Sequence, residues 1–474
     1  MLYLLGTSAL AWSKLFWFDE ILTYHIVRAP SIGAMWKILQ TGLDLNPPLF
    51  FVVTHFIRSL LGEGELAMRL PALVGFWVMC LCLYRFVSRG CGPLYGLSAL
   101  LLPIATNAYE YAFEARPYAM VLGLCAGALV CWQSYARDGS RIAPAILWVC
   151  MTAAVSCHYY ALMALIPLGG GELVRLMTIR KWDFKVLLAL AFSATPVLFF
   201  LPQLSMARTF AANFWAKPSL NSILTYYEFL IGPGQFFLVI ALVLVALVSF
   251  AEPRGPTIAS PRLRPTLAES MVAIGFVVLP YIDISFAMTA GSGFTPRYAL
   301  PSIIGVAALI PMAAYASSRS RIMTGSALVA VFFMAFSLRE LSASRRFLHG
   351  QEELKTYKLS SSVPPGLPLL VTDSLEFMKL AHYGSTEVKE RSVYLVNLPG
   401  SAGNGEPDTV ERLLILLRRI TPMSVFDYSD FIRMHPRFLV LGYNWEVQYF
   451  VEHNAHIQVV GASGQDPVIE VAPK

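Results

Sequence analysis

The chain has 474 residues, 56% of them apolar and 14% charged, with a mean hydropathy of +0.58; a soluble fold carries charge on about a quarter of its residues. That excludes an ordinary soluble domain and points to a polytopic membrane protein. The formal net charge of +6 is modest, so nucleic acid is not an expected partner, and seven cysteines between Cys80 and Cys157, with no CxxC pair, give neither a disulfide framework nor a zinc site.

The first apolar run, 1–16, lacks a basic leading region and runs into further apolar segments, so it reads as a short first transmembrane helix rather than a secretory signal. It falls below the roughly twenty residues a span needs, and Lys14 near its end can snorkel. Trp17-Phe18-Asp19-Glu20 follows. Two adjacent carboxylates at the mouth of a membrane segment are costly, which points to chemistry at the bilayer surface. The plain alternative is that Asp19 N-caps a helix over 21–28. Residues up to 43, with His25, Arg28, Trp36, Lys37 and Gln40, are too polar to span and suit a helix in the interface. Asn46-Pro47-Pro48 then predicts a helix start, Asn46 as N-cap, for a juxtamembrane helix over 49–61.

Further spans are expected at 66–87, 93–112, 117–136, 142–158, 159–177, 184–203, 235–251, 270–290, 298–315 and 322–338, about eleven with the first. Alternate loops carry Arg85 and Arg89; Arg137 and Arg141; Arg175, Arg180, Lys181 and Lys185; Arg254, Arg262 and Arg264; and Arg319 and Arg321. The positive-inside rule makes these cytoplasmic, with the N-terminus, in a cytoplasmic (inner) membrane. The intervening loops, 110–116, the His158 turn, 204–234 and 294–298, then share the outer face with Asp19 and Glu20. A second domain begins near Ser344 and, by parity, lies outside. Its strand-like runs at 369–372, 393–397, 424–427, 437–442 and 456–460 alternate with helical patterns at 374–383, 408–420, 430–435 and 445–453, predicting a small α/β layer with a largely parallel sheet. The domains are thus 1–343, an α-helical membrane domain, and 344–474, an extracytoplasmic α/β domain.

Three outer-face motifs carry chemistry. Glu114 and Arg116 stand before Pro117 and Tyr118 at the entrance of a span, His158-Tyr159-Tyr160 makes a tight outer turn, and Arg297-Tyr298 occupies another. His158-Tyr159-Tyr160 and Arg297-Tyr298 each read alone as interfacial anchoring, while Glu114 and Arg116 read either as an interfacial pair or as facing the same cavity as Asp19. Together they supply a base, cations and aromatic surfaces for transferring a sugar from an anionic lipid leaving group.

Asp19-Glu20, Asn46-Pro47-Pro48, Glu114-Ala115-Arg116-Pro117-Tyr118 and Arg297-Tyr298, in this order and on one side, resemble the multi-spanning GT-C glycosyltransferases, in particular the bacterial protein O-mannosyltransferase and aminoarabinose-transferase-like proteins. The similarity covers about residues 1–340. It implies transfer of a sugar from a polyprenyl-phosphate-linked donor, at the outer face of the membrane, with the first-loop Asp19 as base. Some relatives carry an acid where Asn46 stands, a departure that weakens any divalent-metal site and leaves Asp19 and Glu114 as its candidates, since Asn is a poorer ligand than a carboxylate.

The first reading is therefore an inverting hexosyl- or pentosyltransferase acting on a glycan, lipid or protein hydroxyl. Asp19 is the base, with Glu20 beside it; Asn46, Glu114, Arg116, Tyr118, His158, Tyr159, Arg297 and Tyr298 bind substrate. A lipid-sugar transporter or flippase, for which Asp283 inside a span is the one suitable charge, and a membrane scaffold are the rivals. The topology predicts that a single cysteine placed at Ser401 reacts with an impermeant maleimide in intact cells; labelling only after lysis would reverse the span parity.

Overall fold

The computed structural model describes residues 2–211, 214, 216–251, 264–318, 321–358, 366–396, 409–442, 455–463 and 466–473; Ser401 and the helix expected over 445–453 lie outside them. The chain forms two compact units. One comprises Met1–Ala11, Asn46–Ser205 and Ala216–Ser344, the other Trp12–Leu45, Met206–Trp215 and Arg345–Lys474. The residues after Ser344 therefore group with two earlier segments, not by themselves.

The first unit is an apolar helical bundle. Glu65–Cys91, Tyr118–Asp138, Tyr159–Ile179, Leu267–Ala290 and Arg321–Ser342 are long and apolar enough to cross a membrane. Five shorter apolar helices, Leu49–Leu61, Pro93–Ala105, Ala143–Cys157, Lys185–Phe199 and Ser302–Ser317, accompany them. Proline explains two of the short ones. Pro103 turns the end of Pro93–Leu101 into 3₁₀ geometry, and Pro196 restarts the chain after Lys185–Ser193. The loop expected over 204–234 contains the helix Leu220–Ile231, which meets Gly234–Val248 at 78°. The bend falls at Gly232, whose φ of +47° suits glycine, and Asn107 Nδ2 donates to the Phe229 carbonyl beside it at 2.8 Å.

Two of the longest helices, Glu65–Cys91 and Tyr118–Asp138, touch through glycine. A Cβ on Gly75 would lie 2.5 Å from the Ala119 carbonyl oxygen, and one on Gly123 2.4 Å from that of Gly75. Small residues at such a crossing let backbones approach within a membrane.

At one end of this unit the basic loops converge. Arg89 pairs with Asp138 at 2.5 Å, and Arg137 grips buried Glu269 through two 2.6 Å bonds while also donating to the Arg264 carbonyl. Gln133 completes Glu269 at 2.7 Å. Nearby, Glu172 accepts from Arg175 at 2.6 Å and from Trp132 at 3.0 Å, and Asp183 accepts from Tyr135. Tyr95 donates to the Arg321 carbonyl at 2.9 Å. The buried carboxylates of Glu172 and Glu269 are thus each matched by a cation.

The second unit holds a six-stranded sheet: β1 (Leu369–Val371), β2 (Ser392–Val396), β3 (Val425–Asp427), β4 (Phe438–Leu441), β5 (Ala455–Ser463) and β6 (Asp466–Pro473). The spatial order is β3-β2-β1-β4-β6-β5. The first four pair in parallel and the last two join antiparallel, with Leu370, Val393, Leu395, Phe431, Phe438, Val440, Ile469 and Val471 as core. The helix Ser374–Tyr383 connects β1 towards β2, capped by Asp373, whose carboxylate accepts from Glu376 N at 2.8 Å.

Several expectations shift. The first helix, Leu2–Ser13, ends before Lys14. The interfacial stretch is two helices, Phe18–Val27 and Ile32–Gln40, so Asp19 and Glu20 sit in a first turn and Asp19 is not the N-cap; Trp17 is. Asn46 does not cap Leu49–Leu61 either, since Pro48 holds that position. The helix expected over 322–338 runs on unbroken from Arg321 to Lys358, and 339–358 contains no proline. The sheet's final strand, β6, is an addition to the expected set.

Replacing Gly75 or Gly123 by alanine should lower the thermal stability of detergent-solubilised protein by about 1–3 kcal/mol through overpacking. Gly170→Ala, where nothing lies within 4 Å, should leave it unchanged, and equal melting of all three would refute the close crossing.

Candidate functional site

In the first unit an aromatic cluster gathers residues from four separate segments. His158 follows the helix Ala143–Cys157 and is 6% exposed. Its ring lies 4.9 Å from Tyr298, 5.4 Å from Tyr118 and 5.9 Å from Tyr160. Tyr160 lies tilted against Tyr298 at 5.0 Å, and Phe294 meets both rings at 6.1 Å. Tyr111 joins through Tyr118 at 5.4 Å.

Two guanidiniums enter this cluster. Arg297 lies 5.6 Å over the Tyr118 ring, a cation–π placement. Arg116 and Arg297 both act electrostatically on His158, and Glu114 and Arg297 both act on Tyr111. Arg116 is fixed locally by a three-residue turn, its N–H donating to the Glu114 carbonyl at 2.7 Å. Arg297 and Tyr298 sit on the 3₁₀ turn Pro296–Ala299, held by Tyr226, whose hydroxyl donates to the Ala299 carbonyl at 2.7 Å.

The His158 tautomer follows from its bonds. Its Nδ1 accepts from the Tyr160 backbone N–H at 3.3 Å, so the neutral ring carries its proton on Nε2 and offers it as a donor. Two cations, the Glu114 carboxylate, one N–H donor and several phenols thus meet in this cluster.

A second chain of contacts links two other expected residues. The Tyr159 hydroxyl donates to Gln203 Oε1 at 3.0 Å, and Gln203 Nε2 donates to the Asn46 carbonyl at 2.8 Å. Gln203 is fully buried and was not anticipated; its only trace in the sequence is an amide closing an apolar run. Arg69, fully buried and donating to the Ala11 carbonyl at 2.7 Å, also escaped notice inside an expected span.

Asp19 and Glu20 belong to the second unit. Glu20 is fully buried and its carboxylate accepts from the Trp17 N–H at 3.3 Å, closing the first turn of Phe18–Val27. The Asp19 carbonyl accepts from the Thr23 hydroxyl at 3.0 Å, while its side chain is half-buried. Among the described residues no three His, Cys, Asp or Glu side chains gather to hold a metal ion, and the candidates Asp19 and Glu114 fall in different units.

Two solved structures share the architecture. ArnT from Cupriavidus metallidurans bound to undecaprenyl phosphate matches with a TM-score of 0.59 at 12% identity, over 99% of this chain and 96% of that one. The apo state of the same protein matches with 0.59 at 13%, over 99% and 95%. The chain therefore has the GT-C-like fold of a multi-pass membrane protein, with several apolar helices and a small C-terminal sheet region. No family model and no curated protein matches the sequence.

The second unit carries a measurable titration. Burial, with His382 and Arg28 close by, pushes the His25 imidazole down to about 4. Tyr24 also faces it edge-on at 5.3 Å. An unfolded histidine titrates near 6.5. The unfolded chain therefore takes up this proton first, and the seating of Phe18–Val27 is at full strength above about pH 6.5 and weakens as pH falls towards 4. An NMR titration of the His25 ring should give a midpoint near 4; one near 6.5 would show the ring in solvent.

Proposed function

We propose that the chain is a membrane glycosyltransferase that moves a sugar from a polyprenyl-phosphate-linked donor to an acceptor hydroxyl at the outer face of the cytoplasmic membrane. The observation that carries this reading is the gathering of Arg116, Arg297 and His158 among tyrosines at one end of an apolar bundle. It is supported by the shared fold of ArnT, whose solved structure holds undecaprenyl phosphate.

In the proposed reaction Asp19 takes the proton of the acceptor hydroxyl. The freed oxygen attacks the anomeric carbon from the face opposite the phosphate, and the bond from that carbon to the phosphate oxygen breaks, its electron pair leaving with the lipid phosphate. Configuration inverts. Arg116 and Arg297 neutralise the departing phosphate, and the Nε2–H of His158 donates to one of its oxygens. Tyr118 and Tyr298 supply flat walls for the sugar, and Glu114 positions it. Glu20 holds the turn that presents Asp19, and the Tyr159–Gln203–Asn46 chain fixes the entrance of Leu49–Leu61. The loop charges, Arg89, Arg137, Arg175, Arg264 and Arg321 against Asp19's opposite parity, support a cytoplasmic N-terminus and an outer C-terminal domain.

One observation favours a transporter instead. Asp283 is buried in the apolar helix Leu267–Ala290, three residues beyond Pro280, and neither carboxyl oxygen has a hydrogen-bond partner among the described residues. A transporter makes no new bond, so product formation in detergent separates the two.

In that assay Asp19→Asn should lower transfer by about 10² to 10⁴ at matched protein levels, the range for a lost general base. Arg297→Lys and Arg116→Lys should also impair transfer although charge is kept, because lysine lacks the planar fork that grips a phosphate. Wild-type turnover in Asp19→Asn, or in both lysine variants, would remove those residues from the mechanism.

A further inference from the structure

The helix that carries Asp19 has ten residues, too few to hold its shape alone in water. Its support comes from the C-terminal domain. The Phe16 backbone N–H donates to the Tyr383 hydroxyl at 2.8 Å. The His382 ring lies edge-on to Tyr24 at 4.6 Å and to Phe16 at 5.6 Å. Gly350 rests so closely on the preceding turn that a Cβ there would stand 2.3 Å from the Ser13 carbonyl oxygen. On the helix itself, Arg28 donates to the Tyr24 hydroxyl at 3.1 Å, tying the ring that His382 meets. Contacts from the C-terminal domain therefore fall on both sides of Asp19 in the chain, at 13 and 16 before it and at 24 after it.

We propose that the C-terminal α/β domain is the positioning element for Asp19, acting through His382 and Tyr383 at the end of the helix Ser374–Tyr383. The inference rests on the reading of Asp19 as base. A general base works only within hydrogen-bond reach of its proton, and a displacement of about 1 Å is worth up to about 100-fold in rate. Phe16 and Tyr24 set the position of the turn 17–20, and His382 and Tyr383 set Phe16 and Tyr24. Neither His382 nor Tyr383 touches substrate in this scheme; both are positioning residues.

The experiment uses the full-length protein in detergent, with polyprenyl-phosphate-linked sugar as donor, and measures kcat and the donor KM for His382→Ala, His382→Phe, Tyr383→Phe and Asp19→Asn. His382→Ala should lower kcat by about 10- to 100-fold with KM unchanged. His382→Phe keeps an aromatic edge against Tyr24 and should recover most of the loss. Tyr383→Phe, which removes one oxygen and leaves the fold intact, should lower kcat several-fold. Wild-type kcat in both His382→Ala and Tyr383→Phe overturns the positioning role while Asp19→Asn remains impaired. A fall in kcat matched by a rise in KM, with no recovery in His382→Phe, overturns it in favour of a purely structural contact. Wild-type kcat in Asp19→Asn overturns the underlying reading, and with it this inference.

Discussion

Charge at the ends of an apolar bundle is the constraint on which this structure depends. A guanidinium or carboxylate removed from water is costly unless it is matched or shared. At one end Arg137 closes on Glu269 and Arg175 on Glu172, with Gln133 and Trp132 filling further valences. These are opposed charges in short contact, and they lock helices together. At the other end Arg297 lies on an aromatic face, and Arg116 shares with it the field around a buried imidazole.

In the sheet-bearing unit Glu20 holds a helix turn, and Asp19, one residue earlier, has a half-buried side chain. Two neighbouring acids that look equivalent in the sequence thus receive different work, decided by which one faces back to the Trp17 N–H. The segment 12–45 groups with the C-terminal domain, which gives that domain a structural task at the opposite end of the chain.

Much of this was legible in advance. Membrane insertion, the long apolar helices and the α/β character of the C-terminal region follow from hydropathy and period. The helix bounds Leu49–Leu61 and Ser374–Tyr383 coincide with the runs 49–61 and 374–383, because proline or an Asp cap marks each start. His158, Tyr118, Arg297 and Tyr298 were read as one group and lie together. What stayed hidden was tertiary. Gln203 and Arg69 sit inside apolar runs, and their roles exist only once a distant carbonyl is brought to them. The start of Phe18–Val27 moved because only one acid reaches back to the Trp17 N–H, and the pattern Asp19-Glu20 does not say which. His382 and Tyr383 carried no motif at all; their partners are more than 350 residues away in the chain.

The central claim is that the tyrosine-lined arginines receive a lipid phosphate. The most direct measurement is an experimental structure of the protein with a polyprenyl phosphate bound. The account places phosphate oxygens at hydrogen-bond distance, about 3 Å, from the Arg297 and Arg116 guanidiniums and from His158 Nε2. A phosphate seated at the Arg137–Glu269 end, or one held without either arginine, would contradict it.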